Sequence, residues 1–66
     1  MMKLYVVRFV RIDNKPEEEY YYKSLNDALY HFSQYENDDS NLFRIITVRA
    51  IIDGKEENYP IKSKHF

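Results

Sequence analysis

Two stretches of the chain carry nearly the same residues: IDNKPEEEYYYKS at 12–24 and IDGKEENYPIKS at 52–63. Each begins with Ile-Asp, continues through Lys and a pair of Glu, and ends in Lys-Ser, and the first copy has one additional residue, Pro16. An internal repeat usually marks a supersecondary unit that a fold uses more than once. We therefore interpret each copy as the turn and return strand of a β-hairpin.

The turn residues of the two copies support this interpretation. The Asp-Gly pair ending at Gly54 is a strong hairpin signal, because a type I′ turn needs positive φ at both central positions. Gly54 is the only glycine in the chain, and Asn14, which also tolerates positive φ, occupies the matching place in the first copy. Both turns follow runs of β-branched and aromatic residues, which favour strands. The sequence thus predicts two hairpins, over residues 3–23 and 42–62.

One helical segment separates the hairpins. Ser24 is a suitable N-cap, and Asp27 adds the acidic partner of a capping box. Apolar residues then recur at spacings of three and four, which places them on one helical face: Leu25, Ala28, Leu29, Phe32 and Tyr35. The polar run NDDSN should stop the helix, so we expect it over 25–36. His31 lies off the apolar stripe, and we expect it to face solvent.

The order of elements is therefore β-β-α-β-β within a single α+β domain spanning residues 1–66. Pro60 cannot donate a ladder hydrogen bond, which predicts that the last strand lies at an edge of the sheet. The charged EEEYYY strand suits the other edge. The sequence predicts a four-stranded antiparallel sheet in the spatial order 2-1-3-4, with the helix on one face. The alternative order, 1-2-3-4, is less favourable because it would place the charged strand inside the sheet.

The glycine turn also sets the pairing register, because Ile52 must oppose Lys55. Alternate side chains of each strand are then assigned to opposite faces of the sheet. The side predicted to lie under the helix holds Tyr5, Val7, Phe9, Tyr20, Tyr22, Ile46, Val48, Tyr59 and Ile61. The spacing between the two copies changes near Val10 and Arg11, which predicts a β-bulge there with the extra residue in the first strand.

The other side of the predicted sheet is apolar as well, with two arginines near its centre. Its residues are Leu4, Val6, Arg8, Val10, Phe43, Ile45, Arg49 and Ile51. A solvated antiparallel face should alternate apolar with polar residues, and an uncovered apolar face usually marks an interface. Lys62-Ser63 matches the Lys23-Ser24 that precedes the helix, but we expect no second helix after the second hairpin. We therefore expect this face to bind protein, either a second copy of the chain in a homodimer or another protein.

Residue types that carry common chemistry are scarce. The chain has no Cys, which excludes disulfides and thiolate metal sites and favours a reducing, cytoplasmic setting. One glycine cannot form a phosphate-binding loop. His31 and His65 have no companions at ligand spacing, and we expect His65 to lie in a frayed tail. No apolar run is long enough to span a membrane. We expect no catalytic residue, cofactor, metal or small-molecule substrate, and hence no enzyme.

The class that remains is a small non-enzymatic interaction module of the adaptor or inhibitor type. Single-stranded nucleic-acid binding is the alternative, because sheets backed by helices can stack bases and hold phosphates with arginine. Basic residues lie on or beside the two central strands: Arg8, Arg11, Arg44 and Arg49. The net charge of −1 argues against bulk attraction to nucleic acid.

Overall fold

The computed structural model describes all 66 residues and contains one helix and one antiparallel sheet. The elements are β1 (Lys3–Arg11), β2 (Glu18–Tyr22), α1 (Leu25–Tyr35), β3 (Phe43–Ile52), β4 (Lys55–Glu56) and β5 (Lys62–His65). The spatial order is β2-β1-β3-β4. Strand β5 also pairs with β3, next to residues 45–48, whereas β4 pairs with residues 51 and 52. The predicted α+β class and strand order are confirmed, and the alternative order 1-2-3-4 is excluded.

Helix α1 begins as its sequence predicts. Ser24 has an extended backbone and its Oγ accepts a hydrogen bond from the backbone N–H of Asp27 at 3.5 Å. The helix ends at Tyr35, one residue earlier than predicted, with Glu36 as its C-cap. The N–H of Asp38 then donates to the carbonyl of Tyr35 at 3.1 Å, which satisfies one of the last helical carbonyls. The chain contains no helix with the length and apolarity that crossing a membrane would require.

The core lies between α1 and one side of the sheet, which we call the inner face. Six buried side chains form it: Val7, Phe9, Ala28, Phe32, Ile46 and Val48. Tyr5, Tyr22, Leu25 and Leu29 pack around them. The predicted inner-face residues of β1, β2 and β3 therefore lie where the register placed them. Only nine residues of the chain are buried, so the domain depends on a small number of close contacts.

Both hairpin turns use left-handed backbone. Asp53 and Gly54 have φ of 52° and 83°, and Asn14 has φ of 61°. The second turn gives the predicted register, in which Ile52 pairs with Lys55. A glycine at position 54 meets this conformational demand without strain, whereas a residue with a Cβ adopts such a φ less readily.

The predicted bulge is present, but its extra residue is in the other strand. Val10 pairs with Ile45, and the next residue, Arg11, pairs with Phe43, so Arg44 has no opposite residue on β1. The repeat located the irregularity but could not show which strand absorbs it. Because one residue is skipped, Phe43, the first residue of β3, lies on the opposite face from the one that simple alternation predicts.

The predicted fourth strand of the sheet is divided in the structure into two short strands, β4 and β5. Val48 pairs with Lys62, where uninterrupted pairing from the turn would have given Tyr59. Tyr59 is 87% exposed and Ile61 46% exposed, so their predicted place in the core is wrong. The predicted fraying of His65 is also wrong, since it pairs with Ile45 in β5.

We predict that Gly54→Ala destabilises the protein by about 1 kcal/mol, because the added Cβ disfavours a φ of 83°. Nothing lies within 4 Å of the new Cβ, so the cost is conformational rather than steric crowding by neighbours. Urea denaturation monitored by circular dichroism measures the change. Asn14→Gly, at the other left-handed turn position, is the matched control and should change stability by less than half as much; equal losses in both variants would contradict the assignment.

Candidate protein-binding face

The side of the sheet away from α1, which we call the outer face, is the surface that sequence analysis singled out. Pairing of β1 with β3 places Leu4 opposite Ile51 and Val10 opposite Ile45. Between these two apolar pairs, Val6 lies opposite Arg49 and Arg8 opposite Thr47. Seven of the eight predicted residues therefore share this face: Leu4, Val6, Arg8, Val10, Ile45, Arg49 and Ile51.

Phe43 was predicted on the outer face and lies on the inner one. Its ring centroid is 5.3 Å from that of Phe9 and 6.2 Å from that of Tyr35 at the end of α1. It packs against the buried core. The bulge at Arg44 is the cause, because it reverses the alternation of side chains at the start of β3.

Arg8 organises the centre of the outer face. Its Nη1 and Nη2 donate to the two carboxylate oxygens of Glu56 at 2.8 and 2.6 Å, and its Nε donates to Glu19 at 2.7 Å. Glu17 lies 3.6 Å from the same Nε. A guanidinium between carboxylates of β2 and β4 ties both edges of the sheet to its centre. The bidentate contact with Glu56 is the geometry in which such pairs are strongest.

The ionisation equilibria reflect this arrangement. Hydrogen bonding to Glu56 raises the pKa of Arg8, and the same bond lowers the pKa of Glu56. The Arg8 side chain is only 18% exposed, whereas Glu19 and Glu56 are more open to water. Arg8 and Glu56 therefore stay charged across the neutral range. The cluster covers the middle of the sheet with polar side chains.

Arg49 is less well paired than Arg8. Its nearest carboxylate oxygen, on Glu56, lies 3.6 Å from Nη1, which is too long for a good hydrogen bond. Its Nε is buried and has no hydrogen-bond partner. Its side chain is 27% exposed. Arg49 thus retains donor capacity that the protein itself does not use.

The apolar residues of this face differ in accessibility. Val6 is completely buried although no helix covers it. Its cross-strand neighbours are Tyr21 and Arg49, which have side chains long enough to cover a valine between them. The four outer residues, Leu4, Val10, Ile45 and Ile51, are half-buried. The accessible apolar surface is therefore divided into two patches, one at each end of the Arg8 cluster.

The other predicted basic residues are arranged differently. Arg11 hydrogen-bonds the carboxylate of Asp13, with its Nη2 2.7 Å from Oδ2, and this bond lowers the pKa of Asp13 to about 2. Arg44, the bulge residue, is exposed, and its side chain enters none of the ion pairs of the structure. Three of the four arginines proposed as phosphate ligands therefore already have carboxylate neighbours.

His31 was predicted to face solvent, and the structure contradicts this. It is half-buried in an aromatic cluster between α1 and β2, with its Nδ1 2.7 Å from the Tyr22 hydroxyl. Its ring centroid is 4.9 Å from that of Tyr20 and 5.3 Å from that of Phe9. Burial lowers the pKa of His31. The i, i+4 spacing of His31 and Tyr35 was the available signal, because it extends the apolar stripe toward β2.

A groove opens on the inner face beside the first turn of α1, where the helix does not cover the sheet. Its volume is about 560 Å³. Tyr5, Leu25, Ala50, Ile52, Tyr59 and Ile61 supply its apolar lining. Lys3, Glu57 and Asn58 complete its lining. The chain has no group of three or more His, Cys, Asp or Glu side chains placed to hold a metal ion.

Comparisons with protein-family models, with curated proteins and with solved structures find no match to this chain. The class that the geometry defines is a small α+β domain with one helix-covered and one helix-free sheet face. Its function has to be argued from the helix-free face and from the edges of the sheet.

We predict that Glu56→Gln destabilises the protein by about 1 kcal/mol at pH 7, because Arg8 loses its bidentate carboxylate partner. The folded-state pKa of Glu56 is lowered from 4.5, so its contribution is present above that pH and is lost as the pH falls below it. Chemical denaturation from pH 7 to pH 3 should show a smaller stability loss for the variant than for the natural chain. Glu57→Gln is the control, because Glu57 lies outside the Arg8 cluster; an equal effect there would contradict the role of Glu56.

A second pH effect comes from His31. Because its folded-state pKa lies below the ordinary value of 6.5, the unfolded chain binds more protons in this range, and stability falls as the pH drops below 6.5. His31→Phe keeps an aromatic ring in the cluster and removes the titration, so its melting temperature should vary less between pH 8 and pH 5. His65→Gln removes an exposed imidazole and should retain the dependence of melting temperature on pH. Loss of that pH dependence in His65→Gln would refute the assignment to His31.

Proposed function

We propose that this chain is a small non-enzymatic interaction module that binds protein through the outer face, and that a second copy of the chain is its simplest partner. The observation that carries the proposal is the helix-free face itself. On it, apolar pairs flank an ion cluster, and one arginine has unused donors. Antiparallel sheets with one truly solvated face carry polar residues at these alternate positions.

The proposed roles of its residues follow from their accessibility. The two apolar patches, Leu4 with Ile51 and Val10 with Ile45, supply the apolar area that drives association, at roughly 25 cal/mol per Å² before the costs of binding. Arg49 supplies orientation, because its Nη groups can donate to an acceptor on the partner. Arg8 and Val6 support the face from within and contact the partner little.

Nucleic-acid binding through the same face is a weaker candidate. A phosphate would have to displace Glu56 and Glu19 from Arg8, and Asp13 from Arg11. The cluster formed by Arg8, Arg49 and their glutamates carries more negative than positive groups. We further propose a cytoplasmic location, which rests on the absence of cysteine from the chain.

Association should weaken when the apolar patches are made polar. We predict that the double variant Ile45→Thr, Ile51→Thr weakens self-association about tenfold, because threonine keeps the strand preference of isoleucine but removes apolar area. Sedimentation equilibrium over about 10 μM to about 1 mM measures the constant. Ile12→Thr makes the same chemical change at an exposed position outside the strands and should have little effect.

Three results would contradict the proposal. A chain that stays monomeric at every concentration removes self-association through this face. Equal weakening by Ile12→Thr would show that the effect is not local to the face. Binding of single-stranded oligonucleotides at low salt, lost steeply as salt rises, would favour the nucleic-acid alternative instead.

A further inference from the structure

Strand β2 is an open edge of the sheet. It pairs with β1 on one side and with nothing on the other. It is regular over Glu18–Tyr22, with neither a proline nor a bulge. The opposite edge is different, because Pro60 and the looped residues beside it split it into β4 and β5. Proteins usually protect an edge by such interruptions. Such an interruption is present at one edge of this sheet and absent at the other, where the glutamates of β2 are the protecting feature.

The side chains of this edge are large and accessible. Tyr20 is 41% exposed on the helix side, where its ring stands edge-on to Phe9 with centroids 5.7 Å apart. Tyr21 is 56% exposed on the outer side, with its hydroxyl 3.3 Å from Glu19. Tyrosines of this kind have apolar rings to bury and hydroxyls that still reach a partner.

We propose that two copies of the chain pair through their β2 edges, antiparallel and centred on Tyr20. In this register Glu19 lies opposite Tyr21 of the second copy, and Glu18 opposite Tyr22. Glu17 then lies opposite Lys23, and the two-fold symmetry makes each of these pairs occur twice. The strand is thus complementary to itself in charge, with acidic residues at one end and a lysine at the other.

The same charges select against other arrangements. Parallel pairing in register would place the three glutamates of one copy against the three of the other. An antiparallel shift that centres the pair on Glu19 would put two carboxylates directly opposite each other, which is destabilising. Centring on Tyr20 uses residues 17–23 of both copies and leaves no like charges opposed.

The helices leave room for this contact. Helix α1 lies mainly over β1, with contacts to β2 and β3 on either side. The two-fold axis of an antiparallel strand pair is perpendicular to the sheet, so both helices fall on the same side. They would be separated by three strand spacings, about 14 Å. Packed helices lie about 8–10 Å apart, so the two do not clash, and the Tyr20 rings lie in the space between them.

The edge contact is independent of the proposed outer-face contact. It makes one continuous sheet from two copies and sets their two outer faces side by side. The two-fold axis of the edge contact is perpendicular to the sheet. The two-fold axis that relates two stacked outer faces would instead lie in the plane between those faces. The two contacts can therefore coexist in a closed assembly of four chains, and each can be lost without the other.

A charge-exchange experiment tests the edge contact. Glu17→Lys alone and Lys23→Glu alone each place like charges opposite one another at both ends of the strand pair, and each should weaken the edge contact at least tenfold. The double variant exchanges the charges and should restore it. An equimolar mixture of the two single variants should associate as well, because each chain then meets the opposite charge. Sedimentation equilibrium gives the constants at low salt.

Lys15→Glu is the matched control, because it reverses a charge in the adjoining turn outside the strand and should leave association unchanged. The Ile45→Thr, Ile51→Thr background weakens the outer-face contribution, so that the edge contact is measured with less interference from it. Amide hydrogen exchange should show concentration-dependent protection within Glu18–Tyr22. Either of two results overturns the proposal: no association in that background, or association that single charge reversals leave intact. If the charge reversals leave association unchanged while the chain still dimerises through the outer face, only the edge contact is refuted.

Discussion

The antiparallel pairing of β1 with β3 is the constraint on which the other elements depend. It is the longest ladder in the molecule, running from Lys3 opposite Ile52 to Arg11 opposite Phe43. The alternation of side chains along it decides which residues reach α1 and which reach the outer face. Val7 and Val48, paired at its centre, are both completely buried beneath the helix. A shift of one residue in this ladder would exchange the two faces, so the core and the candidate site share one determinant.

The outer face shows how a small domain with a single helix covers a second sheet surface. Val6 is as inaccessible as the residues under α1 although only side chains lie above it. Arg8 hydrogen-bonds Glu19 of β2 and Glu56 of β4, so that side chains from both edges of the sheet cover the middle of the outer face. Arginine suits this task because its stem is apolar and its planar head can bond two carboxylates at once. The cover is incomplete at both ends of the face, where the half-buried aliphatic pairs remain.

Much of the candidate face could be predicted from the sequence, because a period of two and one glycine turn determine the parity of each strand. The prediction failed where the alternation of side chains between the two faces is interrupted. Phe43 lies beyond the bulge, and the repeat could not show that Arg44 rather than a residue of β1 is the extra one. Tyr59 and Ile61 lie within the break between β4 and β5, which was not predicted, because Pro60 indicated only that this strand lies at an edge. His31 was misassigned because its cover comes from Tyr20 and Tyr22 of β2, and the helical periodicity alone does not show which strand packs beside that side of the helix.

The sequence by itself determined the order and type of the elements, the capped start of α1, the left-handed turn at Gly54 and the strand order. These depend on local backbone preference, on periodicity and on proline and charge at the edges, all of which act over a few residues. Only the tertiary structure decided which strand absorbs the bulge, how the last strand divides, and which carboxylates meet Arg8. These outcomes depend on contacts between strands that are remote in the chain. There, several registers satisfy the local preferences, and packing against the helix selects one.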